Sequence, residues 1–576
     1  MNQKLENILN VSLDATEDEL RKADSLSTGY NWRDNTWEII VKYSGSLESI
    51  RNRYNVYIKE LLNYYAIIVA DKATIELISQ EDVIDYVEKP KSLYYQIERT
   101  KTAACVGSVR ADGNILSGKG VIVGVIDTGI DIFDNAFRNS DGTTRILNIY
   151  DQTTGEKYDK QSIDEYIRLN EDLSGGTFSY DNAPGVDNIM HGTDVSYIAA
   201  GSLGVAYEAD IIAVKMGYSI NNQFPRTTSL MDAIDYIIRK AIEYRKPVAV
   251  NISYGCNYGA HNGNTLLESF IDDISKSYRC VICVGSGNEA DKAIHFGGII
   301  NTGQVQTAYL SVGEYQSAID IQIWKNYWDT IDVMLINPRG EQIGIITEGR
   351  INRYETYNTE IITLLGEPSP YNIYQEIYIN LIPKTDYILS GIWQIVLMAG
   401  SIRAGEYNIW LPSSQALGYA TAFNNPTADG TITIPATARN CIAVGAYNAY
   451  TNSYAAFSGR GFDNSIRNVN AGVKPDITAP GVDISIARQR GNDITYRNVT
   501  GTSYAVPVVT GAAALLMQWG IVMGNDRFMY GEKLKAALID GSKPVGLVGI
   551  TRNDNQPDPR TGWGAVCLKN TLNKSL

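Results

Sequence analysis

Ser503 lies in the run GTSYAVPVVTGAAALL (Gly501 to Leu516), where a Gly-Thr pair turns the chain and a long small-residue apolar segment begins. The pattern predicts a buried helix with a hydroxyl at its N-terminus, where unpaired N–H groups and the positive end of the dipole favour a developing negative charge. A serine there can equally be an ordinary helix cap. Three upstream segments turn the reading toward chemistry. VIVGVIDTGID (Val121 to Asp131) reads as a strand buried on both faces, with Asp127 at its carboxyl end, where open α/β sheets gather functional groups. Standing alone, Asp127 would be read as a turn aspartate. HGTDVSYIAAG (His191 to Gly201) predicts a helix that begins at one of only three histidines in the chain. CVICVGSGNEA (Cys280 to Ala290) predicts another buried strand, followed by Asn288, whose amide can donate a hydrogen bond. An acid, an imidazole, a hydroxyl and an amide donor are the parts that nucleophilic acyl transfer needs.

These segments resemble those of the subtilisin-like serine proteases, the subtilases, in which the order is Asp, His, Ser. GVAYEADIIAVKM (Gly204 to Met216), NISYG (Asn251 to Gly255), TIPATARNCIAVGAYN (Thr433 to Asn448) and KPDITAPGV (Lys474 to Val482) extend the likeness. It covers roughly Leu116 to Thr302 and Thr431 to Val566. The resemblance implies that Ser503 is the nucleophile, His191 the general base and then acid, and Asp127 the group that orients the imidazole. Asn288 and the Ser503 N–H would form the oxyanion hole. Ser253, Tyr254 and Gly255 would pair with an extended substrate, and Gly285 and Gly287 would border the pocket for the side chain before the scissile bond. Some positions depart from the family pattern: Asp194 stands where a second histidine is usual, Tyr207 replaces a proline, Tyr504 a methionine, and Asp134 a frequent histidine. An acidic Asp194 suits a helix N-terminus, and it is a candidate for raising the pKa of His191.

The elements that must position these residues fall into three pieces. Residues 1–97 are expected to form an N-terminal domain: strands at Thr36 to Gly45, Tyr65 to Ala70 and Val83 to Pro90, helices at Ser46 to Tyr54 and Lys72 to Gln80. Their near β-α-β-β-α-β order resembles a ferredoxin-like subtilase propeptide, a folding template and inhibitor. The resemblance places self-cleavage near Tyr95, Gln96 or Ile97. A purely structural N-terminal domain is the other reading. Residues 98–302 and 431–576 would build the parallel-sheet catalytic domain. Residues 303–430 interrupt it with period-two segments such as AIDIQIWKN and GIWQIVLMAG, which predict an antiparallel β-sandwich, a jelly roll, with a return linker. The expected fold class is therefore α/β, subtilisin-like, with an α+β propeptide and an inserted jelly roll that clamps the enzyme.

At 576 residues the chain is too long for one core, and its net charge of −14 argues against nucleic acid or an anionic membrane as partner. No apolar run reaches the roughly 18 residues of a membrane span. The first 25 residues show no basic stretch leading into an apolar one, so an ordinary secretory signal is not expected. Six scattered cysteines do not read as a disulfide framework, and Cys280 and Cys283 fall on opposite faces of a strand; reduced thiols and no metal site are expected. Calcium serves many subtilases, yet no acidic loop here reads as a dedicated site.

A subtilase with this propeptide and insertion resembles the clostridial Csp proteases of spore germination. That likeness implies a cytoplasmic or spore-packaged enzyme whose protein substrate is a cortex-lytic zymogen, with its own propeptide retained as a bound inhibitor. It also leaves open an idle, protease-shaped sensing protein, because some Csp members have lost triad residues. A general intracellular degradative subtilase is a third reading.

Overall fold

The structure, a computed structural model, describes the chain apart from residues 1–3, 18–19, 21–26, 28, 62–63, 90–102, 107–109, 112–113, 172–182, 218–224, 347–350, 369–371, 419, 463–472, 491–492, 547–556 and 576. It divides into a unit of residues 1–94 and a unit of residues 95–576.

In the first unit, β1 (Thr36–Tyr43), α1 (Glu48–Tyr54), β2 (Tyr57–Leu61), β3 (Tyr65–Ala70), α2 (Lys72–Ile78) and β4 (Ile84–Glu88) follow the β-α-β-β-α-β order. They form an antiparallel sheet in the order β4–β1–β3–β2. Alternation along β1 sends Trp37, Ile39, Val41 and Tyr43 into a core shared with Ile68, Ile75, Ile78 and Val87. Asp71 caps α2 by accepting from Thr74 N at 2.9 Å.

The second unit is built on a parallel sheet of β5 (Ile122–Asp127), β6 (Ile146–Asp151), β7 (Asp210–Lys215), β8 (Val248–Ile252), β9 (Cys280–Gly285), β10 (Ile442–Asn448) and β11 (Ile477–Pro480), in the order β6–β7–β5–β8–β9–β10–β11. Short antiparallel strands flank it. Every residue of β5 is buried: Val123 and Val125 face one core, Ile122 and Ile126 the other. That two-sided burial explains why the strand reads as an unbroken apolar run. Helices α3 (His191–Ala200) and α6 (Thr502–Met517) pack on the first face; α4 (Thr227–Tyr244) and α5 (Leu266–Ser277) cover the second. Segment Thr502–Val522 is apolar and long enough to cross a membrane, contrary to the expectation that no run is; 89% of its 18-residue apolar window lies buried, which makes it the core helix.

Between β9 and β10 two antiparallel sheets share one core. One orders strands at His295–Ile299, Glu406–Trp410, Ile319–Asn326, Tyr374–Pro383, Thr359–Leu365 and Ile351–Glu355; the other orders Gln342–Ile345, Ile331–Ile336, Gly391–Ala399, Val305–Val312 and Ala422–Phe423. They start at His295, ahead of the expected Gly303, because Ile294, Phe296 and Ile300 already point into the shared core. The junction with the parallel-sheet portion is a stack: Trp410 lies 4.2 Å from His261 and 5.0 Å from His295, centroid to centroid, and donates to Gly430 O at 2.9 Å.

The cysteine expectation needs correction. Cys105 and Cys567 form a disulfide with Cα atoms 4.7 Å apart, joining positions 462 residues apart in sequence. Spacing offers no hint of such a pair, since only the fold brings the two positions together. Cys280, Cys283 and Cys441 are free and buried, and Cys256 is free and half-buried. Burial pushes the Cys280 and Cys283 thiols up to about 12. They belong to opposite cores, as their spacing on β9 requires.

Candidate active site

Asp127 ends β5 and is 1% exposed. Its Oδ1 accepts from the Thr128 N–H at 2.8 Å and lies 2.7 Å from His191 Nδ1. His191 begins α3, and this helix can approach β5 closely because Gly192 and Gly129 meet there. A Cβ on Gly192 would lie 2.3 Å from Gly129 O and 2.9 Å from Asp127 Cβ. Burial alone would lower the His191 pKa; the Asp127 charge and hydrogen bond, with Asp187 behind them, outweigh it and raise the value, while Arg497 pulls it down.

Asp187 was not legible as a site residue. One carboxylate oxygen accepts from Thr128 Oγ1 and Met190 N, both at 2.7 Å; the other accepts from Thr193 N and Oγ1, both at 2.8 Å. It thereby caps the exposed N–H groups of α3 and ties them to the end of β5. An acid shortly before a histidine that opens a helix was the available signal.

Ser503 sits in the first turn of α6, half-buried, after Gly501 at φ +151°. Pro507 lies four residues on and has no N–H to give to Ser503 O. Ser253 Oγ donates to that carbonyl instead at 3.3 Å, and itself accepts from Asn251 Nδ2 at 3.1 Å. Thr510 Oγ1 then donates to Asn251 Oδ1 at 3.1 Å, so the end of β8 and the serine helix are joined twice. Asn288 Oδ1 accepts from Thr502 N at 3.0 Å and Thr502 Oγ1 at 3.1 Å. With its oxygen so held, the amide's Nδ2 is the group left to donate.

Gly285 closes β9 against Thr502, where a Cβ would lie 3.3 Å from Thr502 Oγ1. Gly255 and Gly287 both face Thr433: added Cβ atoms would come within 2.4 Å of its Oγ1 and 2.5 Å of its Cγ2 respectively. Thr433 is thus a further residue of this cleft, placed just before a cis Ile434–Pro435 peptide. Tyr254 packs against the second core, and the Tyr504 ring stands 5.3 Å from His191. Tyr95, Gln96 and Ile97 lie outside the described residues.

The idea that Asp194 raises the His191 pKa does not hold. Asp194 is fully buried and ion-paired with Arg488 and Arg497, so its charge is spent on them, and the acids acting on His191 are Asp127 and Asp187. Among the described residues no group of three or more His, Cys, Asp or Glu could hold a metal ion.

A parallel sheet with an acid at a strand end, and an imidazole and a hydroxyl on the first turns of two packed helices, is an arrangement that serine-peptidase chemistry can use. The subtilase family model matches residues 118–368 and 404–564, and the Csp protease B prodomain model matches residues 3–91. The chain belongs to the subtilase family. The solved structure of the Clostridium perfringens CspB protease superposes with a TM-score of 0.75 at 34% identity, covering 83% of this chain and 97% of that one. Subtilase-type proteinase RRT12 of Saccharomyces cerevisiae is 33% identical over 22% of this chain and 23% of its own length. Subtilisin-like protease 10 of Arthroderma otae is 34% identical over 21% of this chain and 27% of its own length. The chain spans about a quarter of the length of these curated relatives.

Proposed function

We propose that the chain is a serine endopeptidase working through Asp127, His191 and Ser503. His191 Nε2 takes the Ser503 Oγ proton as Oγ attacks the peptide carbonyl, and Asp127 holds the Nδ1–H tautomer and the imidazolium that forms. Asn288 Nδ2 and the Ser503 N–H stabilise the oxyanion, and His191 returns its proton to the leaving amine. Water then repeats the sequence on the acyl-enzyme. The observation that carries this reading is the 2.7 Å His191–Asp127 contact at the start of a helix packed on the Ser503 helix. Substrate backbone would add along Ser253, Tyr254 and Gly255, with its side chain between Gly285 and Gly287.

The same reading has the enzyme cut its own chain near Tyr95, Gln96 or Ile97 and keep the prodomain as inhibitor. The prodomain match and the likeness to the CspB protease favour a narrow protein substrate, a cortex-lytic zymogen of spore germination, and a cytoplasmic or spore-packaged location. The two inserted sheets read as a jelly roll acting as a clamp on the loop beyond the substrate strand. Gly259 N donates to Gln322 Oε1 at 2.8 Å and Asn262 Nδ2 to Asn372 Oδ1 at 2.9 Å, which supports that role. A fluorophosphonate probe tests the chemistry: it should label the native protein at Ser503 and leave Ser503→Ala and His191→Ala unlabelled. Equal labelling of all three would overturn the triad.

A further inference from the structure

The hairpin of β12 (Ile484–Arg490) and β13 (Asp493–Val499) runs straight into the Ser503 turn. Its register pairs Ile486 with Arg497, Arg488 with Thr495 and Arg490 with Asp493, which puts three arginines on one face. That face meets the segments carrying the other two triad candidates. Arg488 Nε donates to Asp194 Oδ1 at 2.9 Å and its Nη2 donates to the same oxygen; Arg497 Nη2 pairs with Asp194 Oδ2. Arg488 Nη2 also donates to Met190 O at 2.8 Å, and Arg497 Nη2 to the same carbonyl at 3.4 Å. Met190 immediately precedes His191 and holds a left-handed φ of 66°, and its own side chain makes no cap bond to the helix. Arg490 Nε donates to Asp131 Oδ2 at 2.7 Å, four residues beyond Asp127, and Gln489 N reaches Asp134 Oδ1 at 3.4 Å.

We propose that Arg488 and Arg497 are positioning residues for His191, acting through Asp194 and the Met190 carbonyl, and that the hairpin is the clamp joining all three triad segments. Asp194 serves as the buried anchor: it lies one turn into α3, so arginines that grip it and the carbonyl before His191 fix the first turn of the helix at both ends. This proposal rests on the assignment of His191 as the general base. The charged and titratable groups around that ring are Asp127 from β5, Asp187 from the preceding loop, Arg497 from the hairpin and Tyr504 from α6. Within the cluster, Arg497 acts on the imidazolium directly, and Asp194 acts only through the arginines it neutralises.

The sign can be read without catalysis. Full-length Ser503→Ala protein labelled at histidine has only three rings to follow by NMR, and burial holds His295 at about 4, out of the way. Arg497→Gln should move the His191 midpoint up, and Asp194→Asn, which leaves two arginines uncompensated, should move it down. Arg497→Lys keeps the charge and should keep the midpoint; with Arg497→Gln it decides the matter if Asp194→Asn does not fold, because the Arg497 side chain is 41% exposed. A purely structural role would treat Gln and Lys alike. Unchanged midpoints, or shifts of one sign in folded Arg497→Gln and Asp194→Asn, would overturn the proposal. Failure of the fluorophosphonate to label the native serine would sink the protease reading alone and leave this titration intact.

Discussion

At Asn288 the fold engages one end of the amide, and the proposed oxyanion contact would use the other. Its oxygen is taken by Thr502, so Asn288→Ala should lower kcat about 10²–10³-fold with KM little changed, measured on a peptide substrate. Asp134 is the opposite case, a carboxylate that the fold tolerates at a cost. Burial, and then the nearby charge of Asp131, push it up to about 6 against the opposing hydrogen bond from Ala136 N. The folded state therefore holds a proton that the unfolded state releases between about pH 4 and 6, so this stability is full below that window and lost as pH rises through it. Asp134→Asn should be more stable than the native protein at pH 8, by about 2 kcal/mol, and no different near pH 4; denaturant melts at both pH values test it. Which residues were legible follows the same logic. Asp127, His191, Ser503 and Asn288 stand at the ends of runs whose pattern reports burial. Thr433 and the arginines act on partners distant in sequence, and no local pattern marks them; Asp187 is marked only by its place shortly before the histidine that opens a helix.

The elements that carry the site are held by close approach. Unbroken apolar runs in β5 and β9, and a small-residue helix at α6, were readable because burial on all sides leaves no polar face. The contact between α3 and α6 was not readable, yet it sets the distance between the His191 and Ser503 turns. Gly511 lies at that contact: a Cβ there would come within 2.5 Å of Val205 Cβ and 2.9 Å of Ala199 O. Gly511→Ala should destabilise by about 1–3 kcal/mol through overpacking and lower the rate of Ser503 labelling, both measurable on one preparation. The period-two pattern of the inserted segments predicted their strands well, but their pairing into two sheets, and the early start at His295, depend on tertiary contacts of Ile294 and Phe296.

At the largest scale, segments of the second unit far apart in sequence meet where composition says nothing. Leu568 N donates to Ala104 O at 3.1 Å beside the Cys105–Cys567 bond, and Lys543 Nζ donates to Ala103 O at 2.5 Å. The segment just beyond the expected cleavage region is thus fastened to the C-terminal part of the same unit. Alkylation in denaturant without reductant should modify four of the six cysteines, and all six after reduction. Reduction should also cost the native protein about 2–4 kcal/mol of stability. The central claim is that Ser503 is an active nucleophile that cuts its own chain. Denaturing intact mass of the purified protein beside Ser503→Ala tests it most directly. The account predicts two fragments that split near Gln96 in the native protein and one full-length chain in the variant. A single uncut chain in both would contradict it and favour a protease-shaped sensing protein.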